Sequence, residues 1–548
     1  MCDSCLLPDL VAYAARRFPE NIALTHGQDS MTYAALRDAV VRFAGGIAGL
    51  GLARGERLAI YLEKRFETVV ASFGAAAAGG VFVPLNPLLK PEQVAYILRD
   101  CNARVLVTSP ERCALLTGAL SRCDELRHVV LAGGDSPEGA AGRPARVGWK
   151  ALLAMPRRPG HRVIDADMTA ILYTSGSTGR PKGVVLSHRN MVAGAKSVAG
   201  YLENTAGDTL LAALPLSFDA GFSQLTTAFH AGARVVLLNY LLPRDVLKAL
   251  ERERVTGLTA VPPLYIQLAR LDWPAAIAGH LRYFASTGGR MPRETLDALR
   301  RRLPKSKPFL MYGLTEAFRS TFLPPDEVDR RPDSIGKAIP NAEILVLRED
   351  GAPCAPNEPG ELVHRGALVG MGYWNDPART AERYRPLPAL APGREPGLTI
   401  PELAVWSGDS VRMDEDGFLY FVGRRDEMIK TSGYRVSPTE VEEILYATKM
   451  VGECVAFGVD HETLGQAIQV VATPPGDAGL DARALLAECR KRLPAYMLPQ
   501  GIDARAGPLP RNPNGKIDRR ALSAEWLERH GGTNGRPAAD GRSEDAGQ

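Results

Sequence analysis

Apolar positions recur at helical spacing from Leu7 to Arg17 and stop before Pro19, which predicts a helix at the start of the chain. Short β-branched runs then alternate with Ala/Leu-rich amphipathic segments to about residue 310. Arg57-Leu58-Ala59-Ile60-Tyr61, Val105-Leu106-Val107 and Arg234-Val235-Val236-Leu237-Leu238 are examples of the runs. That alternation predicts an α/β architecture of largely parallel sheets. From about 335 to 422 the texture changes. Runs such as Glu343 to Leu347 and Phe418 to Val422 are separated by Gly, Pro and Asp turns, which predicts an antiparallel β portion. A further α/β pattern runs from near 427 to near 526, and the polar Gly/Ala/Asp stretch at 527–548 is expected to be disordered.

Length and composition narrow the class. The 548 residues are too many for one core and suggest roughly three or four core units at about 150 residues each. With 45% hydrophobic and 23% charged residues, the chain reads as an ordinary globular protein. Lys and Arg total 66 against 62 Asp and Glu, a net +4, too small a surplus to imply nucleic acid. The start, MCDSCLLPDLVAYAARRF, has no basic region followed by an apolar core, so no signal peptide is expected. The most apolar stretch, Val69 to Leu85, is broken by Gly79, Gly80 and Pro84, and suits a buried helix and strand better than a membrane span. Eight scattered cysteines form no disulfide framework, and a reducing cytoplasm is the simplest setting. Cys2 and Cys5 form a lone CxxC; with no second pair it reads as two ordinary thiols, a zinc or redox role being the alternative.

The sharpest chemical signal is the loop Tyr173-Thr174-Ser175-Gly176-Ser177-Thr178-Gly179-Arg180-Pro181-Lys182-Gly183, which follows the apolar run Ala170-Ile171-Leu172. Its glycines let backbone N–H groups face an anion, its hydroxyls add donors, and Lys182 adds charge. Such a loop suits a triphosphate, although GxxxxGK[ST] does not occur in it.

This loop resembles the signature of the adenylate-forming superfamily, which includes acyl-CoA synthetases, nonribosomal peptide adenylation domains and firefly luciferase. The resemblance covers about residues 7 to 526, with five motifs in order. In Tyr312-Gly313-Leu314-Thr315-Glu316 it implies that Tyr312 stacks on adenine, Thr315 contacts phosphate and Glu316 holds Mg²⁺. Taken alone, that Thr-Glu pair reads equally as a helix cap. Upstream, Ser286-Thr287-Gly288-Gly289-Arg290 resembles the loop on the other side of the adenine, with Gly288 and Gly289 carrying the likeness. Asp409, after Ser407-Gly408, is implied to accept from the ribose hydroxyls, and Arg424 to reach ribose or phosphate. Asp426 resembles the hinge residue of the family. Lys430, Gly433 and Arg435 fall where relatives run the thiol half-reaction, Gly433 leaving room for a pantetheine arm. Last, Pro510-Arg511-Asn512-Pro513-Asn514-Gly515-Lys516 puts Lys516 on a tight turn as the implied catalytic lysine, bridging the acyl carboxylate and the α-phosphate.

The resemblance thus implies an N-terminal AMP-binding domain at 1–422, a hinge at 423–426, a small mobile α+β lid at 427–526 and a tail at 527–548. It implies two half-reactions. Mg·ATP and a carboxylic acid give acyl-AMP, and the acyl group then passes to coenzyme A or to the phosphopantetheine of a carrier protein. A nucleotide-binding protein without catalysis is the reading from another class, and Glu316, Asp409, Arg424 and Lys516 together argue against it. For the acid, Ser217-Phe218-Asp219 resembles amino-acid-activating domains, where the Asp pairs with a substrate ammonium; a buried Asp without a cationic partner is costly. A helix cap is the bland alternative for Asp219. Phe222, Phe229, Tyr312 and Gly313 are expected to shape the rest of that pocket. Gly-Val-Phe-Val-Pro-Leu-Asn-Pro-Leu-Leu-Lys-Pro-Glu-Gln at 80–93 and Thr315-Glu316-Ala317-Phe318-Arg319-Ser320 resemble most the acyl-CoA ligases associated with bacterial exosortase A systems.

Overall fold

The first helix, Leu7–Arg17, has Pro8 in its first turn, where a missing N–H costs no hydrogen bond, and it buries Leu7, Leu10, Val11, Ala14 and Ala15. The computed structural model describes residues 5–530 except 134–143, 175–180, 390, 393, 395–396, 398, 425–426, 432–433, 462–463, 477–478, 494 and 513–514, with backbone alone at Lys430, Tyr434 and Arg435. The described chain divides into two compact units, Met1–Phe421 and Val422–Gln548.

In the larger unit a 7-stranded sheet holds Arg57–Tyr61, Val81–Pro84, Ala103–Thr108 and His128–Leu131, all in parallel register. These runs are buried apart from the half-buried Arg57, Arg104 and His128, as parallel strands covered on both faces require. The apolar stretch from Val69 to Leu85 is indeed a buried helix, Phe66–Ala77, and a strand, Val81–Pro84. Strand Met168–Thr174 joins the same sheet and turns back antiparallel as Lys182–Ser187, with Thr174 opposite Lys182. A second, 14-stranded sheet is parallel through Gly257–Ala260, Tyr283–Ser286 and Lys307–Tyr312, then antiparallel from Thr321–Leu323 onward. The change from parallel to antiparallel follows the switch in texture that the sequence shows.

The smaller unit is α+β. Its 5-stranded sheet is built on Glu453–His461 paired antiparallel with Gly465–Thr473, and Gly501–Ala504 runs parallel to the latter. One sequence expectation is corrected here. The helix Arg519–His530 runs four residues into the stretch expected to be disordered from 527, because Trp526 packs on Phe457 and stacks on His530, at ring separations of 6.4 and 4.3 Å. Residues 531–548 lie outside the described residues. Among the described residues no helix is long and apolar enough to cross a membrane, and no disulfide joins the described cysteines.

His188 ties the first helix to the sheet. It opens the helix His188–Tyr201, whose N-cap Ser187 accepts from the Asn190 N–H, and its Nδ1 accepts from the Leu7 N–H at 3.1 Å. Burial pushes its pKa down from the ordinary 6.5 to about 4. As pH falls through 6.5 the unfolded chain takes up this proton first, so stability is full above that value and declines toward pH 4. The expected loss from this one group is of the order of 3 kcal/mol. His188→Asn, which keeps an acceptor but cannot titrate, should flatten the urea-midpoint profile between pH 6.5 and 4; superimposable profiles would refute the assignment.

Candidate active site

The loop after Met168–Thr174 begins at Thr174 and returns at Lys182; Ser175, Gly176, Ser177, Thr178 and Gly179 lie outside the described residues. Lys182 is placed by its strand. The segment around Gly372 pairs with that strand through Val184 opposite Tyr373 and the Trp374 N–H on the Gly183 carbonyl at 2.8 Å. Tyr373 therefore sits beside Lys182. The ammonium donates to Glu316 Oε1 at 2.9 Å and to the Tyr373 hydroxyl at 2.8 Å, and that hydroxyl donates to the same carboxylate oxygen at 2.5 Å. Burial pushes the Glu316 carboxyl up, but the Lys182 charge and the hydrogen bonds from Tyr373 and Lys182 outweigh it, and the group ends below the usual carboxylate range. Glu316 is thus an anion at neutral pH.

Glu316 belongs to a short turn of helix, Thr315–Ala317, just past the strand Lys307–Tyr312. The neighbouring parallel strand Tyr283–Ser286 runs into Thr287, Gly288 and Gly289, with Gly288 at φ +81°. Two expected motifs therefore leave the carboxyl ends of adjacent parallel strands, where α/β sheets collect ligands. The Tyr312 hydroxyl donates to Asp409 Oδ2 at 2.5 Å, so the residues expected at adenine and ribose are in contact. Asp409 is set by a sharp bend: its N–H donates to Ser407 Oγ at 3.0 Å, and Gly408 has φ +71° with the Arg383 guanidinium where a Cβ would stand. A side chain at 408 would meet both strain and collision.

Asp219 is the first residue of the helix Asp219–Ala231 rather than its N-cap, which is Phe218. Its carboxylate accepts from Thr315 Oγ1 at 3.3 Å and pairs with Arg319 Nη1 at 3.2 Å. The ammonium expectation rested on a buried Asp with no cationic partner, and Arg319 removes that premise. The expectation for Phe222 and Phe229 is likewise corrected. With 3.6 residues per turn, 222, 225 and 229 share one stripe, and 220, 223, 224 and 227 share another. Phe222 stacks on Phe73 and Phe82, and Phe229 packs on Phe73, all within the apolar core. The opposite stripe, Ala220, Ser223, Gln224 and Thr227, lines a cavity shared with Arg319.

In the smaller unit, Lys516 is exposed on a turn in which Gly515 has φ +81° and the Lys516 N–H donates to Asn512 Oδ1 at 3.1 Å. Arg424 ends the strand Leu419–Arg424 and is exposed. Lys430 and Arg435 face each other in a two-strand register, while Asp426 and Gly433 lie outside the described residues. Sequence reasoning missed Tyr373 and gave Arg319 no role. For Tyr373 the signal available was its place after Gly370 and Gly372 in a Gly-rich aromatic run; Arg319 had only its nearness to the Thr315-Glu316 pair.

The family model described as AMP-binding enzyme matches residues 11–374, and the AMP-binding enzyme C-terminal domain matches 440–516. The chain is 32% identical to a feruloyl-CoA synthase of Amycolatopsis sp over 515 residues, covering 92% of this chain and 95% of that one. It is 29% identical to a long-chain-fatty-acid–CoA ligase of Salmonella typhimurium, covering 95% and 94%. Its fold is similar to the crystal structure of an anthranilate CoA ligase in complex with anthranoyl-AMP, with a TM-score of 0.82 at 23% identity over 95% of this chain and 97% of the other.

Proposed function

The chain belongs to the AMP-binding enzyme family, and from that premise we propose how its residues divide the work. It is an AMP-forming acid–thiol ligase that uses ATP to activate a carboxylic acid as acyl-AMP and then transfers the acyl group to coenzyme A. The observation that carries the assignment of roles is the meeting of Lys182, Glu316 and Tyr373 next to the Thr315 turn, while the same strand's Tyr312 holds Asp409.

Tyr312 and the Gly288-Gly289 turn take the adenine, and Asp409 takes the ribose with Arg424 as second contact. The segment from Thr174 to Gly179, with Lys182, holds the triphosphate. Mg²⁺ takes oxygen ligands and keeps several waters, so the Glu316 carboxylate fits it when phosphates complete the set, with Thr315 at the phosphate. Bound there, the ion supplies charge neutralisation as pyrophosphate leaves. Lys516 stands at the α-phosphate, and Lys430, Gly433 and Arg435 serve the thiol step.

The domain division follows the same reading, with a hinge at 423–426 turning a lid at 427–526 between half-reactions. The stretches at 80–93 and 315–320 support placement among exosortase-associated ligases working in the cytoplasm, and a carrier-protein phosphopantetheine is the alternative acceptor. The test is a reaction of the full chain with ATP, Mg²⁺, CoA and an acid panel. Acid-dependent AMP and pyrophosphate are expected, and ADP in their place would overturn the reading. Asp426→Pro should cut thioester output far more than pyrophosphate release, because Pro fixes φ where a hinge must rotate. Equal effects on both would move the hinge elsewhere.

A further inference from the structure

We propose that the cavity beneath the helix Asp219–Ala231 receives a hydroxyl group carried by the acyl part of the substrate and so selects hydroxy acids; the proposal rests on the ligase reading above. Place comes first. The cavity is lined by Met311, which precedes Tyr312, and by Arg319, three residues after Glu316. Asp219, at the head of the lining helix, accepts from Thr315. The lining therefore includes sequence neighbours of the residues assigned to the reacting phosphate, and Arg319 ties it to Asp219.

Chemistry comes second. Gln224 is 6% exposed, and neither its amide nitrogen nor its amide oxygen has a partner within the protein. Arg319 is 2% exposed; its Nη1 is committed to Asp219, while its Nε, also buried, has no partner within the protein. Ser223 and Thr227 add hydroxyls to the same wall. A buried polar group left unmatched costs the full desolvation penalty, so three such atoms on two residues that line one cavity call for an occupant that both donates and accepts. A hydroxyl does both. An alkyl carbon does neither, and a bare carboxylate cannot donate to the Gln224 oxygen.

Size and strain agree. The cavity measures about 20 Å³, room for one water-sized group and not for an alkyl chain. Arg319 reaches it through a tight turn: Phe318 has φ +56°, and the Arg319 N–H donates back to the Ala317 carbonyl at 2.6 Å. This γ-turn at positive φ is rare for a bulky residue and persists only where its surroundings enforce it. The Phe318 ring is fully buried against Gly194.

The experiment compares matched acids on the full-length enzyme: lactate with propanoate, salicylate with benzoate, and ω-hydroxydecanoate with decanoate. AMP formation gives kcat/KM, and equilibrium dialysis of each radiolabelled acid gives binding. At least one hydroxy acid should be favoured about 10²-fold or more over its plain partner, since an analogue lacking the group leaves buried partners unpaired. Gln224→Leu should collapse that ratio to near unity, and Gln224→Asn should restore part of it, which a merely structural role would not do. Plain acids used as well as hydroxy acids, or a ratio unmoved by Gln224→Leu, would overturn the proposal and leave the ligase reading intact. Selective binding of a hydroxy acid without AMP formation would sink the ligase reading and leave the pocket assignment standing. Failure of all six acids to bind or turn over would overturn both.

Discussion

Lys516→Ala should lose 10²–10³-fold of acyl-AMP formation, about 2.7–4 kcal/mol of transition-state stabilisation, while still making thioester from supplied acyl-AMP. The expectation follows from charge. As the acid's carboxylate attacks the α-phosphate, negative charge gathers between them, and one ammonium at a fixed point stabilises it more than the ground state. The turn that carries Lys516 is set by its backbone. The Asn512 N–H donates to the Lys516 carbonyl at 2.8 Å, Asn512 Oδ1 accepts from the Lys516 N–H, and Arg511 donates to the Gly515 carbonyl at 2.9 Å. The side chain itself is exposed, so its truncation should leave the fold unchanged. ATP–pyrophosphate exchange measures the first half-reaction, and CoA thioester from synthetic acyl-AMP measures the second. Full exchange activity in the variant would remove Lys516 from the mechanism, and equal losses in both assays would move it to a shared step.

What the sequence made legible was local. The helix Leu7–Arg17, the strand Arg57–Tyr61 and the Gly515 turn each carry their own signal, in periodicity, β-branching or a residue that must take positive φ. The active-site motifs were legible for a related reason: each is a short run on one strand end or turn. Partnerships between runs were not legible. Lys182 lies 134 residues from Glu316 and 191 from Tyr373, and Asp219 lies 100 from Arg319, distances over which no periodicity reports. The acid pocket shows the cost. Phe222 is an aromatic beside a suggestive Asp, yet helical geometry turns it into the core and brings Ser223, Gln224 and Thr227 to the cavity instead. Asp219 could be read as awaiting an ammonium only while Arg319 was unseen.

Glu316→Gln should reduce acyl-AMP formation by about 10²-fold or more and lower the melting temperature, two effects that one further variant separates. Gln preserves the volume of the side chain and removes its charge. Lys182 would then keep its ammonium, with 20% of the side chain exposed, beside a neutral amide and the Tyr373 hydroxyl. Breaking a buried pair in this way costs about 3–5 kcal/mol, and the partial exposure of Lys182 places the loss toward the lower end. Replacing Lys182 as well, in Lys182→Met with Glu316→Gln, removes the stranded charge and should recover much of the stability. If Lys182 and Glu316 served only to neutralise each other, with no part at the phosphates, the double variant would recover activity along with stability. The reading of Glu316 as the carboxylate that meets Mg²⁺ and the phosphates predicts otherwise: stability returns and acyl-AMP formation does not. Because the Glu316 carboxyl sits below the usual range, the wild-type enzyme should hold this charge across neutral pH and lose it only in acid. Thermal melts and pyrophosphate exchange on the two single variants and the double variant decide between the readings, and recovered exchange in the double variant would overturn the metal-binding role.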